Sequence, residues 1–428
     1  MGKVEVKISE IVMNIQVGAY ILGALLFVGA TPAFAKDVFN AQIQVGNNTY
    51  QSKGYTNLND AIDQYDFVNM KQIFPNYTET SFAHSALNLR GVNTQLEFAQ
   101  DSSQLKFSIP SLGITRIYGE IGGTREQAKD AFLNALKGED EYILKALTKE
   151  WVKNTPIDPV AGNPNSLMST MAVSSTETMS DMTSNQAFGN KTTGSRSSFG
   201  ITPRFGRYTQ GEYGVDVYNL PISYSHWFEN EKVGISFDVP ITLVDTEGAY
   251  SGSLNFGLGV NFKAYENKDL TWFVMPQVRV GATGSEDLGS AALIYGGGLV
   301  SNLQFPLSWD ASINIINMAT VYKTDSIQIG DYETHYDLKN TILRNGVEYS
   351  QVLKRSINNS PLIAKVSLAR TDYHGDELYT EVSHDLSASI GFKNLKPNAW
   401  ISDYRIGATY TYTDNDLKGF MLNMGYTF

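Results

Sequence analysis

Five histidines, His84, His226, His335, His374 and His384, are the side chains of this chain best suited to move protons near neutral pH. His335 and His374 stand close in sequence to Asp337, Asp376 and Glu377. A histidine oriented by a carboxylate is part of a hydrolytic centre, but a nucleophile or an activated water must complete it. No serine motif accompanies either pair, and HExxH, GxSxG and the P-loop pattern are absent. These residues therefore read as solvated polar loops, and no catalytic residue is expected. The run GEIGGTR, Gly119 to Arg125, sets glycines before a helix start, where backbone amides could hold an anion. It lacks the lysine of a P-loop and the spacing of a dinucleotide fingerprint, so it reads as a tight strand-to-helix turn. Asp414 and Asp416, like Asp372, Asp376 and Glu377, are of the type that takes calcium. Neither stretch supplies a full ligand series, and the expectation is no metal, no other cofactor and no enzyme.

With chemistry thinly represented, composition bounds the class. The formal net charge of −11 argues against nucleic acid, which needs clustered Lys and Arg. Cysteine is absent, which removes disulfides and thiolate metal sites. At the start, Lys3 and Lys7 precede the apolar run VGAYILGALLFVG, Val17 to Gly29, and then Ala33 and Ala35 take the small positions of a cleavage site. The run is shorter than the roughly 20 residues of a spanning helix, so a signal peptide over 1–35 is expected, although Glu5 and Glu10 dilute its positive end.

Three textures follow. Residues 36–160 read as a small α+β domain. AQIQVGNNTYQ is a hairpin around Gly46, Asn47 and Asn48, and TQLEFAQDSSQLKFSIP is a hairpin turning at Asp101 to Ser103. Thr124 with Gln127 forms a capping box, Ala128, Phe132, Ala135 and Leu136 make an apolar stripe, and Gly138 breaks the helix. A second helix over 139–152 carries Ile143, Leu144, Leu147 and Trp151. Residues 161–198 are dominated by Ser, Thr, Asn and Gly, with Met168, Met171, Met179 and Met182 among them. Such a composition predicts a flexible linker, sticky enough to serve as a plug.

From 199 to 428 the pattern is strict alternation. Leu254, Phe256, Leu258, Val260 and Phe262 oppose Asn255, Gly257, Gly259 and Asn261, and Tyr404, Ile406, Ala408, Tyr410 and Tyr412 oppose Asp403, Arg405, Gly407, Thr409 and Thr411. About twelve ribbons of this kind predict an antiparallel transmembrane β-barrel in a mainly β protein. The polar parity is small and uncharged except for Asp238, Lys263, Arg279, Asp310, Lys365, Asp385, Asp403 and Arg405, which suits a confined lumen better than an open surface. Pro240 and Pro276 interrupt their ribbons, where a strand loses a ladder bond.

The leader, the ribbons and the closing strand, with Phe420, Leu422, Met424, Tyr426 and Phe428 on one parity, resemble a Gram-negative outer-membrane β-barrel protein, porin-like or autotransporter-translocator-like. That resemblance implies outer-membrane lipid and lipopolysaccharide as surroundings, and a barrel-assembly machinery that reads the terminal aromatic strand. It implies a narrow pore with a soluble N-terminal domain or, alternatively, an autotransporter-like anchor displaying that domain as an adhesin or interaction module. A barrel-rim hydrolase built on the outer loops is a further alternative. The segment before the barrel departs from the translocator pattern, since it shows no helical periodicity of the kind threaded through such lumens. On the pore reading, the inward charges of both signs and the small polar lining predict a weakly selective or gated passage.

Overall fold

Alternating burial carries residues 39–118 into a sheet and residues 196–427 into a second, closed one. The computed structural model describes residues 38–427 apart from 53, 56, 57, 65, 188–195, 230, 309, 330, 331, 358, 359 and 394–402. The expected leader, and Phe428 at the end, lie outside the described residues.

The N-terminal sheet is antiparallel, in the order β2-β1-β3-β4-β5-β6. Its strands are β1 (Phe39–Val45), β2 (Asn48–Gln51), β3 (Ala83–Leu89), β4 (Val92–Phe98), β5 (Leu105–Ile109) and β6 (Ile114–Tyr118). Two short helices, α1 (Leu58–Asp63) and α2 (Phe67–Ile73), join β2 to β3, and α3 (Arg125–Asn134) and α4 (Glu141–Asn154) follow β6. One sheet face carries Phe39, Ile43, Leu87, Leu96 and Phe107 into a core shared with Ala128 and Phe132 of α3 and Leu147 and Trp151 of α4. Phe107 and Phe132 meet with ring centres 5.0 Å apart. Gln42, Gln44, Asn93 and Gln95 occupy the open face. Thr124 accepts a hydrogen bond from the Gln127 amide while the Gln127 side chain accepts one from the Thr124 amide, which starts α3. A single π-helical turn, Ala135–Glu139, ends it, and Asp140 then caps α4 by accepting from the Ile143 amide at 3.1 Å.

The barrel is closed, antiparallel and twelve-stranded. Its first strand runs in two pieces, β7 (Arg196–Ile201) and β8 (Arg204–Gln210), divided at Pro203, which has no amide to donate. The strands β9 (Tyr213–Trp227), β10 (Val233–Thr246), β11 (Ala249–Glu266), β12 (Thr271–Ser285), β13 (Ser290–Ser308) and β14 (Ala311–Asp325) follow as a meander. After a small ribbon, β15 (Ile327–Ile329) with β16 (Tyr332–Thr334), it continues through β17 (Lys339–Ile357), β18 (Ser360–Gly375), β19 (Val382–Lys393), β20 (Asp403–Thr413) and β21 (Lys418–Thr427). Closure pairs Leu422 with Phe205 and Tyr426 with Ile201. The awkward prolines fall where pairing pauses: the β10–β11 ladder skips from Asp238 to Ile241 around Pro240, and the β11–β12 ladder skips the residues opposite Pro276.

Apolar parity faces outward. Leu254, Leu258, Val278, Leu299, Val321, Leu368, Ile406 and Leu422 are exposed large side chains. They lie between Trp272, Tyr265 and Phe199 toward one rim and Tyr250, Tyr295, Tyr410 and Tyr412 toward the other. An apolar band between two aromatic girdles matches a bilayer. Both the first and the last strand end at one rim, here the terminal rim. The N-terminal domain sits on the opposite, domain rim, where Leu288 and Ala249 join its core.

Candidate functional site in the barrel lumen

The residues expected to form a linker are instead a helix inside the barrel. Helix α5 (Leu167–Ala187) is 21 residues long and contains neither Gly nor Pro. At 1.5 Å per residue it extends about 31 Å, which matches the thickness of a hydrocarbon core. Ser and Thr are weak helix formers in water, where their hydroxyls compete for the backbone. Here the hydroxyls serve both backbone and wall. Ser175, Thr178 and Thr183 donate to the carbonyls of Met171, Ser174 and Met179 at 2.9, 2.9 and 2.8 Å. Ser175 also accepts from Arg279 Nε at 2.7 Å, Thr178 shares its one proton with Asp238 at 3.0 Å, and Thr183 accepts from Asn302 at 2.7 Å.

The other side of the helix is apolar. Met168, Met171, Met179 and Met182 share a buried cluster with Phe273 and Met275 of β12, Ile294 and Val300 of β13, and Ile316, Met318 and Tyr322 of β14. The expected lining of small polar residues therefore holds for only part of the lumen: the β12–β14 wall is greasy because it packs against methionines rather than water. The spacing Met168, Met171, Met179, Met182 is itself one helical face, and it is the signal in the sequence that could have disclosed the helix.

Most of the expected lumen charges meet partners. Arg279 donates to Asp238 at 2.6 and 2.8 Å and to Asn255 at 2.9 Å. Lys365 pairs with Glu348 at 3.2 Å, and Asp385 accepts from Arg344 at 2.8 Å and from Thr411 at 2.6 Å. Arg405 stands 3.7 Å from Asp403, and both line a cavity beside the helix. Lys263 pairs with Glu266 at 3.1 Å toward the terminal rim. Asp310 departs from expectation: it lies in the turn between β13 and β14, off the lumen wall, and its carbonyl accepts from the Val352 amide at 2.7 Å. Sequence reasoning missed Glu177, Arg204, Arg344 and Glu348. Arg204 grips Glu177 of α5 with two bonds of 2.8 and 2.9 Å, and Glu348 accepts from Ser180 of α5 at 3.2 Å.

At the domain rim some of the candidate acids are engaged by the N-terminal domain and others within the barrel. Lys149 of α4 reaches Asp376 at 3.3 Å and Asp337 at 3.9 Å, and Lys153 pairs with Glu377. Asp414 accepts from the amides of Glu381 and Val382 at 3.2 and 3.1 Å, and Asp372 pairs with Arg370 at 2.6 Å. Among the described residues no group of acids and histidines has the spacing of a metal site. His335 lies 4.0 Å from Glu141, His84 lies 3.8 Å from Glu97, and His384 stacks on Tyr412 at 4.6 Å. His226 Nδ1 lies 2.9 Å from Ser197 Oγ, a pairing across neighbouring strands that sequence spacing could not reveal. Gly119, in the glycine turn, holds φ at +84°, and a Cβ there would come within 2.6 Å of Ala128, so the turn is built for close packing of α3.

A collar over 155–166, almost wholly buried, joins domain to helix. Asp158 accepts from Arg90 and, at 2.9 Å, from Tyr336, and Arg90 also donates to Leu288 O at 3.1 Å and lies 4.5 Å over the Trp151 ring. Burial, with Asp158 beside it, holds the Tyr336 hydroxyl far above its ordinary range, so it stays protonated and donates.

A closed twelve-stranded barrel with an apolar outer band between aromatic girdles and a partly polar interior has the form of a membrane-spanning β-barrel. No family model and no curated protein matches the sequence. Among solved structures, the beta domain of the Bordetella autotransporter Brka is similar, at 11% identity over 55% of this chain and 98% of that one, TM-score 0.39. So is the translocator domain of the autotransporter NalP from Neisseria meningitidis, at 15% identity over 60% and 97%, TM-score 0.36. An outer membrane channel from Pseudomonas putida F1 is similar at 9% identity over 56% and 97%, TM-score 0.39. These likenesses are of fold alone.

Proposed function

We propose that the barrel is an anchor that holds the N-terminal domain on the outer face of the outer membrane, as an adhesin or interaction module. The observation that carries this reading is the path of the chain: domain on one rim, helix α5 down the lumen, strands beginning and ending at the other rim. A domain merely fused to a pore on the periplasmic side has no need to thread its tether through the lumen. The long connection with β15 and β16 belongs to the domain rim, which fits the rule that periplasmic turns are short. The other connections on that rim are short because the strands run on into them, so loop length is the weaker support. The closing strand, with Phe420 and Leu422 facing outward, is the element offered to an assembly machinery from the periplasmic side. Lipid and lipopolysaccharide are the remaining partners, and we attribute no catalysis to the chain.

Because the chain has no cysteine, a single one reports cleanly. Asn47→Cys, at the exposed tip of the first hairpin, should react with a membrane-impermeant maleimide on intact cells as fully as after the outer membrane is permeabilised. Reaction only after permeabilisation would put the domain in the periplasm and leave the narrow pore as the better reading.

A further inference from the structure

Helix α5 does not fill the barrel evenly. Its methionine face lies on the β12–β14 wall, and two cavities remain on the opposite side, against β8, β9 and β17–β21. The larger, about 240 Å³, occupies the half toward the terminal rim and is lined by Ser180, Asp181, Ser389 and Arg405 among others. The smaller, about 90 Å³, lies toward the domain rim beside Asn165, Ser169, Tyr208 and Ser383. Both cavities are bordered by Glu177, Arg204, Arg344, Ser387, Thr409 and Asn423. At that shared level the helix is fastened to the wall by the two Arg204–Glu177 bonds, at 2.8 and 2.9 Å. Arg344 braces the same level through Asp385 at 2.8 Å and through Thr176 of α5 at 3.2 Å.

The geometry points to a gated side-channel: a polar path for water and small hydrated ions runs alongside α5, and the Arg204–Glu177 pair is the gate between its two chambers. The pair suits that task better than a packed apolar contact does. Both groups line the two cavities and keep part of their side chains exposed there, so each can be hydrated when the bonds part, whereas the methionine face has no aqueous alternative. Opening moves two side chains and leaves the helix seated. Neither the membrane orientation nor the display reading enters into this arrangement.

The test uses the full chain, purified and folded in detergent, with one cysteine in each chamber in turn: Ser389→Cys in the larger and Ser383→Cys in the smaller. A charged methanethiosulfonate reagent should modify the first quickly and the second slowly. Adding Glu177→Gln or Arg204→Gln should speed the second by about tenfold, equivalent to ~1.4 kcal/mol off the barrier to opening, and leave the first unchanged. The exchanged pair, Glu177→Arg with Arg204→Glu, should return it to the slow rate. Heat-modifiable electrophoretic mobility confirms that each variant is folded, and Arg204→Met, which also removes the pair, substitutes for a variant that is not. Equal rates at the two cysteines in the parent would overturn the gate. So would a folded Glu177→Gln protein with no faster reaction at Ser383→Cys, or an exchanged pair as leaky as the single variants.

Discussion

Arg90 shows how a single residue can couple the two halves of the molecule. It occupies the first central position of the β3–β4 turn with φ at +54°, followed by Gly91 at +89°, a geometry that favours Asn or Gly at both places. Arginine stands there for its side chain, which is fully buried against Asp158 and Ser290 and stacks on Trp151. Removing it leaves the buried Asp158 carboxylate without its counter-charge, held by Tyr336 and the Val160 amide, and breaking a buried pair in this way costs about 3–5 kcal/mol. Arg90→Ala is therefore expected to expose residues 155–166 to protease in the folded, detergent-solubilised protein while the barrel keeps its heat-modifiable mobility. The double variant Arg90→Met with Asp158→Leu should be protected better than Arg90→Ala, since no charge is left alone. A collar as resistant in Arg90→Ala as in the parent would show that the pair does not hold the domain. Residues of this sort were only half legible. Asp238, Arg279, Lys365, Asp385, Asp403 and Arg405 declared themselves by interrupting a small polar parity. Arg90 and Asp158 did not, because their partners come from segments 68 residues apart and nothing local marks a turn arginine as structural.

At the scale of elements, the strands were readable because a half-buried ribbon repeats every two residues, and the outward face of β11 or β20 is apolar at nearly every second place. Helix α5 was not, because its periodicity is carried by four methionines among hydroxyl residues, and its stability comes from a lumen wall that no local window contains. Barrel closure rests on an equally non-local fit. Gly419 of β21 faces Tyr208 of β8, and a Cβ on Gly419 would fall 2.0 Å from the Tyr208 ring. The absent side chain is thus what lets the ring of Tyr208 lie flat across the seam. Gly419→Val should overpack that seam at a cost of roughly 1–3 kcal/mol, read as a lower temperature for loss of the folded band in heat-modifiability. Adding Tyr208→Ala to Gly419→Val should recover part of the loss. An unchanged midpoint in Gly419→Val would mean that the ring moves aside freely and the seam is not tightly packed.

For the molecule as a whole, the question is which part closes the lumen, the domain on the rim or the helix within. The helix has attachments of its own along its length: Tyr373 to Ser169 at 2.8 Å near the domain rim, Arg279 and Asp238 at mid-height, Arg204 to Glu177 opposite them, and Asn302 to Thr183 toward the terminal rim. It also has a methionine face that would be exposed to water if it left. The domain adds contacts at the collar and at the domain rim, through Lys149, Lys153, Leu288 and Ala249. Proteolytic trimming of the N-terminal domain from the folded full-length protein, cutting within 38–155, should therefore leave α5 seated and the planar-bilayer conductance as low as before. The trimmed protein should still carry the collar and α5 on the barrel fragment, which mass measurement of that fragment checks. If trimming raises the conductance while the fragment retains α5, closure belongs to the domain, and the lumen contacts of the helix are too weak to keep it in place alone.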